Sequence, residues 1–126
     1  MKITKRSENH LVKTQGGFSL LATRKAANLD WQFPPSEYYF GEKPDEEILL
    51  GPKGVLYTYS IVHVDPRRGP YALAMVDFEP GVRAFGLLLF SEGQELNIGS
   101  LVKVVPHNLP DGTEDYAFAL LEGYTS

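Results

Sequence analysis

The second half of the chain alternates short apolar runs with turn-forming residues, which is the pattern of successive β-strands. Tight turns are predicted at Pro80-Gly81 and Pro110-Asp111-Gly112, because proline presets the backbone and glycine accepts a left-handed conformation. Pro106 is expected to end the fourth run, since proline cannot donate a hydrogen bond to a sheet. The runs predict five strands, at residues 55–64, 71–79, 82–90, 98–106 and 115–123.

Five strands with no helix-length periodic segment between them predict an all-β domain, and we expect a small closed barrel. Gly86 lies inside the third strand and fits a bend at a barrel corner. The first strand has large side chains on both faces, as in a strand that another element covers from outside. Its alternation groups Tyr57, Tyr59 and Ile61 on one face. A two-sheet sandwich is the alternative, but that architecture usually has more strands.

The N-terminal part is organised differently. It begins with a segment without sustained periodicity, in which a short helix over residues 8–14 is one option. Short strands are expected at residues 18–23 and 47–50, before a clear turn at residues 51–54. The predicted division is into a flexible or partner-docked arm, a small lobe and the barrel, at residues 1–16, 17–51 and 52–126.

The lobe contains a segment that is dense in aromatic residues. Pro34 and Pro35 favour an extended backbone there and remove two amide donors. Large apolar rings on so short a segment are expected to pack against the barrel or against a partner protein. The rings are Trp31, Phe33, Tyr38, Tyr39 and Phe40.

Composition and charge narrow the possible functions. The 126 residues are 43% apolar, which is enough for a hydrophobic core, and the absence of cysteine excludes disulfides and thiolate metal sites. Residues 1–25 carry six Lys or Arg against one Glu, a net +5, whereas the remaining 101 residues carry six basic and fifteen acidic groups, a net −9. The predicted barrel is therefore a poor binder of polyanions, and a nucleic-acid partner is disfavoured.

The sequence also favours a cytoplasmic location. Residues 1–14 are charged and lack the apolar stretch of a signal peptide. The longest apolar run, residues 84–90, is far too short to cross a bilayer, so no membrane association is expected.

No residue pattern points to catalysis. His10, His63 and His107 do not stand in a metal-ligand spacing, and no nucleophile elbow, phosphate loop or dinucleotide fingerprint is found. We therefore expect no catalytic residue, no metal and no cofactor, although a Ser-His-acid triad, which assembles in space, stays open. Tyr57 and Tyr59 could act as stacking platforms for single-stranded nucleic acid, which keeps such a binding module as the alternative function.

Four stretches, in their order and spacing, resemble a known family: GPKGVLYTYSIVHVDP, GPYALAMVDFEPGVRAFGLLLF, LNIGSLVKVV and YAFALL. They are similar to OB-fold acyl-CoA-associated proteins, which accompany thiolases and related acyltransferases, and the resemblance spans residues 17–122. It implies a five-stranded OB barrel that serves as a non-catalytic accessory subunit of a thiolase-like or other acyl-CoA-processing enzyme. The partner would then hold the reactive cysteine and the CoA thioester. An enzyme acting on an acyl thioester by itself is a third possibility.

This family usually carries a zinc ribbon with Phe-Pro-Pro between two cysteine pairs, and Phe33-Pro34-Pro35 stands in that place. The resemblance puts Lys25, Asn28, Tyr39 and Glu42 where the four ligands would be, so the lobe is a ribbon-like element without its metal. A structural zinc contributes on the order of 10 kcal/mol. Burial of the aromatic cluster is expected to replace that contribution.

The residues expected to contact the partner belong to this cluster and to one loop of the barrel. Arg67-Arg68 is the only basic pair of the barrel region and could also meet a phosphate of CoA. The predicted partner-binding residues are Trp31, Phe33, Tyr38, Tyr39, Phe40, Arg67 and Arg68.

Overall fold

Ten strands account for most of the residues that the computed structural model describes, which are 3–5, 10–24, 31–34, 38–40, 46–62, 71–79, 81–91 and 93–121. No helix occurs within these ranges. The strands are β1 (Ile3–Lys5), β2 (Leu11–Thr14), β3 (Gly17–Arg24), β4 (Tyr38–Phe40), β5 (Glu46–Leu50), β6 (Lys53–Val62), β7 (Tyr71–Phe78), β8 (Val82–Leu89), β9 (Leu101–Asn108) and β10 (Glu114–Leu120).

Five of these strands close into a barrel. β6, β7 and β8 form an antiparallel meander, and β10 pairs in parallel with β8 through Phe118 and Leu88. β10 also pairs with β9, and β9 pairs back with β6, so the ring has no free edge. The all-β fold and the predicted five-stranded barrel are thereby confirmed, and all five predicted strands are present.

The core follows from the alternation of the barrel strands. Inward positions carry apolar side chains with no exposed area, while their neighbours face outward. Each such side chain contributes roughly 1.5–3 kcal/mol by leaving water. Fully buried residues from all five barrel strands meet in one cluster: Leu56, Val76, Leu88, Val102 and Phe118.

The lobe extends the barrel sheet through β2, β3 and β5 and shares its core. β3 lies between β2 and β5 and pairs with both. The strands predicted at residues 18–23 and 47–50 correspond to β3 and β5. β3 joins the barrel at the pair Phe18 and Val104. Leu20, Ala22 and Leu50 have no exposed area and belong to the same cluster as the barrel core. β1 pairs with β4 in a separate two-stranded sheet.

Two expectations about local structure were wrong. Residues 11–14 form the strand β2 and not part of a helix, because they pair with residues 17–20 across a tight turn. Pro106 does not end the fourth strand, which begins at Leu101 and continues to Asn108. Its opposite residue, Tyr116, donates its amide hydrogen to the Asp115 carboxylate and not to the ladder. A missing N–H at position 106 therefore breaks no hydrogen bond of this pair.

A β-bulge changes which side chains of β6 share a face. The register shifts between Leu56 and Thr58, so that one extra residue stands opposite β7 at Tyr57. Tyr57 is consequently exposed, whereas Tyr59 turns inward and packs against the core. The predicted grouping of Tyr57, Tyr59 and Ile61 on one face is therefore wrong.

Gly86 is required for space in the middle of β8. A Cβ atom there would lie 2.8 Å from the Tyr116 ring and 2.9 Å from the Phe118 ring. Only glycine allows the two aromatic side chains of β10 to cross β8 this closely.

Candidate functional site

The outer surface of the β6–β7–β8 sheet is apolar where a free-standing domain would be polar. Met75 pairs directly with Phe85, and the bulge presents Tyr57 beside them. Phe85 is 54% exposed, which is unusual for a large aromatic side chain at the centre of a sheet. We call this surface the outer face and define it by its exposed apolar residues Val55, Tyr57, Met75 and Phe85.

An arginine holds the tyrosine of the outer face in place. The Arg83 guanidinium lies over the Tyr57 ring at 3.4 Å from its centroid. The same group donates two hydrogen bonds to Asp77, at 2.7 Å to Oδ1 and 3.2 Å to Oδ2. The hydrogen bonds to Asp77 raise the pKa of Arg83 above its usual value. Tyr57 is thus pre-ordered on an open surface, and one side of its ring is covered.

Tyr59, the second tyrosine that was considered for base stacking, has a structural role. Its hydroxyl donates a hydrogen bond of 2.9 Å to the Leu96 carbonyl, and its ring packs against the core. Leu96 is itself buried. Tyr59 therefore anchors the loop between β8 and β9 and offers no stacking surface.

The aromatic segment of the lobe packs on the barrel. Gln32 exchanges both backbone hydrogen bonds with Thr23 of β3, which fixes the segment beside the sheet. Trp31 and Phe33 are partly buried against the core cluster, as expected for a lobe held by its rings. The Arg24 guanidinium stacks 4.5 Å from the centroid of the Trp31 ring and is paired with Glu46 at 2.6 Å.

The other predicted contact residues are placed only in part. Tyr38, Tyr39 and Phe40 form β4 and pair with β1. Arg67 and Arg68 lie outside the described residues, as do Lys25, Asn28 and Glu42 among the positions matched to zinc ligands. Within the described ranges, no group of three metal-ligating side chains comes together.

Phe33 also belongs to a cluster of rings at one end of the barrel. It contacts His10 and Tyr116 edge-on, each with its ring centroid 5.5 Å away. The Tyr116 hydroxyl donates a hydrogen bond to the Phe85 carbonyl. Burial, followed by the negative charge of Asp115, raises the pKa of Tyr116 to about 12. The phenol therefore stays protonated at neutral pH and serves as a donor.

This pKa gives a first prediction. In a titration followed by phenolate absorbance, a step should appear at about pH 12, and Tyr116→Phe should remove that step. The unfolded phenol ionises near pH 10, so the native state keeps a proton that the unfolded state loses. The stability from this group should be complete below pH 10 and disappear as pH rises through 12. Tyr71→Phe, at a more exposed site, should leave the late step in place. Loss of that step in the Tyr71→Phe variant would contradict its assignment to Tyr116.

The Nε2 atom of His10 is a buried polar atom of this cluster. Among the described residues, its Nε2 atom has no hydrogen-bond partner, and the nearest carboxylate oxygen, Oδ1 of Asp115, is 3.7 Å away. Asp115 also lies directly opposite His107 in the β9–β10 ladder. These groups come together without the distances that a shared metal or a proton relay would need.

Comparison with known proteins assigns the barrel region. Residues 47–107 match the family model described as the C-terminal OB-fold domain of ChsH2. These residues are therefore similar to the ChsH2 C-terminal OB-fold family. The match contains all four residues of the outer face, whereas the aromatic segment and Tyr116 lie beyond it.

Two relatives extend the comparison. A DUF35 domain-containing scaffold protein of Methanocaldococcus jannaschii is 35% identical over 74 residues, which are 56% of this chain and 52% of the relative. The chain thus spans about half the length of that curated relative. The solved Ltp2-ChsH2(DUF35) aldolase matches with a TM-score of 0.62 over 81% of this chain and 84% of that chain. At 19% identity, it shows that the two chains share the OB-type fold.

Of the outer face, only Tyr57 had been singled out from the sequence. Met75, Arg83 and Phe85 were read only as parts of strands. Their signal was present, since β7 and β8 carry apolar residues at outward positions as well as inward ones. Which of the two faces was exposed became clear only from the closed barrel.

The part of the chain that the structure describes contains no helix that could cross a bilayer.

Proposed function

We propose that this chain is a non-catalytic accessory subunit that docks onto a thiolase-like acyltransferase or another acyl-CoA enzyme and supports assembly of the active complex. The observation that carries the proposal is the outer face, on which four large apolar side chains are between 38% and 54% exposed. The names of the relatives support it, since one is called a scaffold protein and the other is ChsH2 in an assembly with Ltp2.

The outer face has the chemistry of a protein interface. Tyrosine and arginine are enriched among the residues that dominate binding energy, and Tyr57 and Arg83 stand stacked at its edge. Their order in the free protein lowers the entropic cost of docking. The barrel beneath them is a closed ring of paired strands, so we expect a partner to meet a surface already in its bound shape.

In this proposal the partner holds the reactive cysteine and the CoA thioester, while this chain supplies surface. The aromatic segment contributes a second contact region through the exposed parts of Trp31 and Phe33. Tyr38, Tyr39 and Phe40 are included in this region from the sequence. Arg67 and Arg68 complete the proposed contacts and are suited to a phosphate or carboxylate of the complex.

The test is a binding measurement with the thiolase-like enzyme of the source organism. Co-expressed with that enzyme, the chain should co-purify in a defined ratio. Phe85→Asp should weaken the complex at least tenfold, because it places a charge in an apolar contact. Leu109→Asp is the matched control, since Leu109 is 38% exposed on the turn between β9 and β10, which is not part of the outer face. Unchanged melting temperatures would show that both variants fold.

Other outcomes would contradict the proposal. Salt-sensitive retention on single-stranded DNA or RNA would favour the nucleic-acid alternative. The Arg83 guanidinium already covers one side of the Tyr57 ring, which speaks against base stacking there. Turnover of an acyl thioester by the purified chain alone would show that it is an enzyme in its own right.

A further inference from the structure

The loop between β8 and β9 is held firmly to the barrel at several points. Leu96 is buried in the core, and its carbonyl accepts the hydrogen bond from Tyr59. Further along, the Leu56 amide donates to the Ser100 carbonyl at 2.9 Å, and the Gly99 amide donates to the Leu56 carbonyl at 2.8 Å. Residues 96–100 thus form an extension of the sheet that is fixed by hydrogen bonds.

At its tip, this extension presents an aliphatic side chain to solvent. The Ser100 amide donates to the Asn97 carbonyl at 3.1 Å, and Gly99 has a φ of 94°, as a type II turn requires at its third position. Ile98 occupies the second position. It is 68% exposed, more than any other large apolar residue that the structure describes. A β-branched side chain on a pinned turn loses little entropy when it is bound.

The turn is continuous with the outer face. Its two hydrogen bonds are made with Leu56, the residue immediately before the bulge at Tyr57. The turn therefore lies beside Leu56, which directly precedes the stacked Tyr57 in β6. A partner that covers the outer face would also reach Ile98.

We propose that Ile98 is an anchor residue that enters an apolar pocket on the partner enzyme, and that basic side chains surround this pocket. This inference rests on the proposed function and adds the residue and the chemistry of the partner surface. The basic surround follows from charge: residues 91–100 contain two acidic residues, Glu92 and Glu95, and no basic residue. A second copy of this chain would bring the same acidic loop to the contact, so electrostatics favour a different protein.

The experiment compares three variants in a kinetic binding assay with the purified thiolase-like enzyme of the source organism. Ile98→Asp should weaken binding on the order of 30-fold, mainly through faster dissociation, as expected for a central anchor. Ile98→Val keeps the branched shape and should stay within about fivefold of the unmodified chain. Glu95→Lys should slow association, and this effect should shrink at high salt. Leu109→Asp again serves as the control that leaves binding unchanged.

The outcomes separate this inference from the function on which it rests. If Ile98→Asp binds like the unmodified chain while Phe85→Asp is weakened, Ile98 is not the anchor and the accessory function stands. If Glu95→Lys binds faster, the side chains around the partner's pocket are acidic, and the proposed basic surroundings are wrong. If the unmodified chain forms no complex, the proposed function and the anchor both fail. Self-association that Ile98→Asp abolishes would identify a second copy as the occupant and overturn the proposal.

Discussion

Replacing Phe118 with alanine is expected to lower the free energy of unfolding by about 3–5 kcal/mol. Phe118 has no exposed area and stands where β10 joins two neighbours, opposite Val104 of β9 and Leu88 of β8. Its ring lies 6.0 Å from that of Phe78 and 5.7 Å from that of Tyr116. Truncation would leave a cavity at the seam that closes the barrel, where the backbone is paired on both sides and cannot collapse into it.

Urea unfolding followed by circular dichroism would measure this loss. Phe85→Ala is the matched control, because it removes the same ring from a site that is 54% exposed. We expect the control to change the free energy of unfolding by less than about 1 kcal/mol. Equal effects of the two substitutions would mean that Phe118 is not the residue that seals the barrel.

Gly54→Ala is expected to destabilise the fold by about 3 kcal/mol, through crowding and not through a cavity. A Cβ atom at Gly54 would lie 2.5 Å from Cγ1 of Val76 and 2.8 Å from Cε1 of Phe78. Both neighbours are buried and part of the core, so neither can move away freely. Gly54 also pairs with Val102 of β9, in the part of β6 that lies between β9 and β7. This pairing prevents the backbone from shifting.

Two further variants make the cause of this effect testable. Gly16→Ala is the control, because the nearest atom to an added Cβ there, Cγ of Pro52, is 3.6 Å away. Adding Val76→Ala to Gly54→Ala removes the closest clashing atom and should recover part of the lost stability. If the double variant is as unstable as the sum of the two single changes, the clash is not the cause.

Local features of this fold follow from the sequence more directly than non-local ones. The strands of the barrel and the β7–β8 hairpin could be predicted because β-branched runs and Pro80-Gly81 are local signals. The prediction that Pro106 ends its strand was wrong, since a proline is excluded from a strand only where its nitrogen would meet a partner. That condition depends on the opposite strand, which the residues around position 106 do not encode.

The candidate site was predicted less well than the fold. Trp31 and Phe33 were chosen because aromatic density is visible in the sequence, and the structure places both against the core. Phe85 and Met75 were overlooked, because an alternating strand does not say which of its apolar faces will be covered. Ile98 was assigned to a strand, yet its turn is held by hydrogen bonds to Leu56, 42 positions earlier in the chain.

By itself, the sequence determined that this protein is an acidic, cysteine-free chain of β-strands separated by turns that contain proline and glycine. These properties are local, because they depend on side-chain chemistry and on the period of two along a strand. Only the tertiary structure decided that β10 pairs with both β8 and β9, that the bulge turns Tyr57 outward and Tyr59 inward, and that the outer face remains uncovered. Each of these depends on contacts between distant segments, whose register is chosen when the barrel closes around its core.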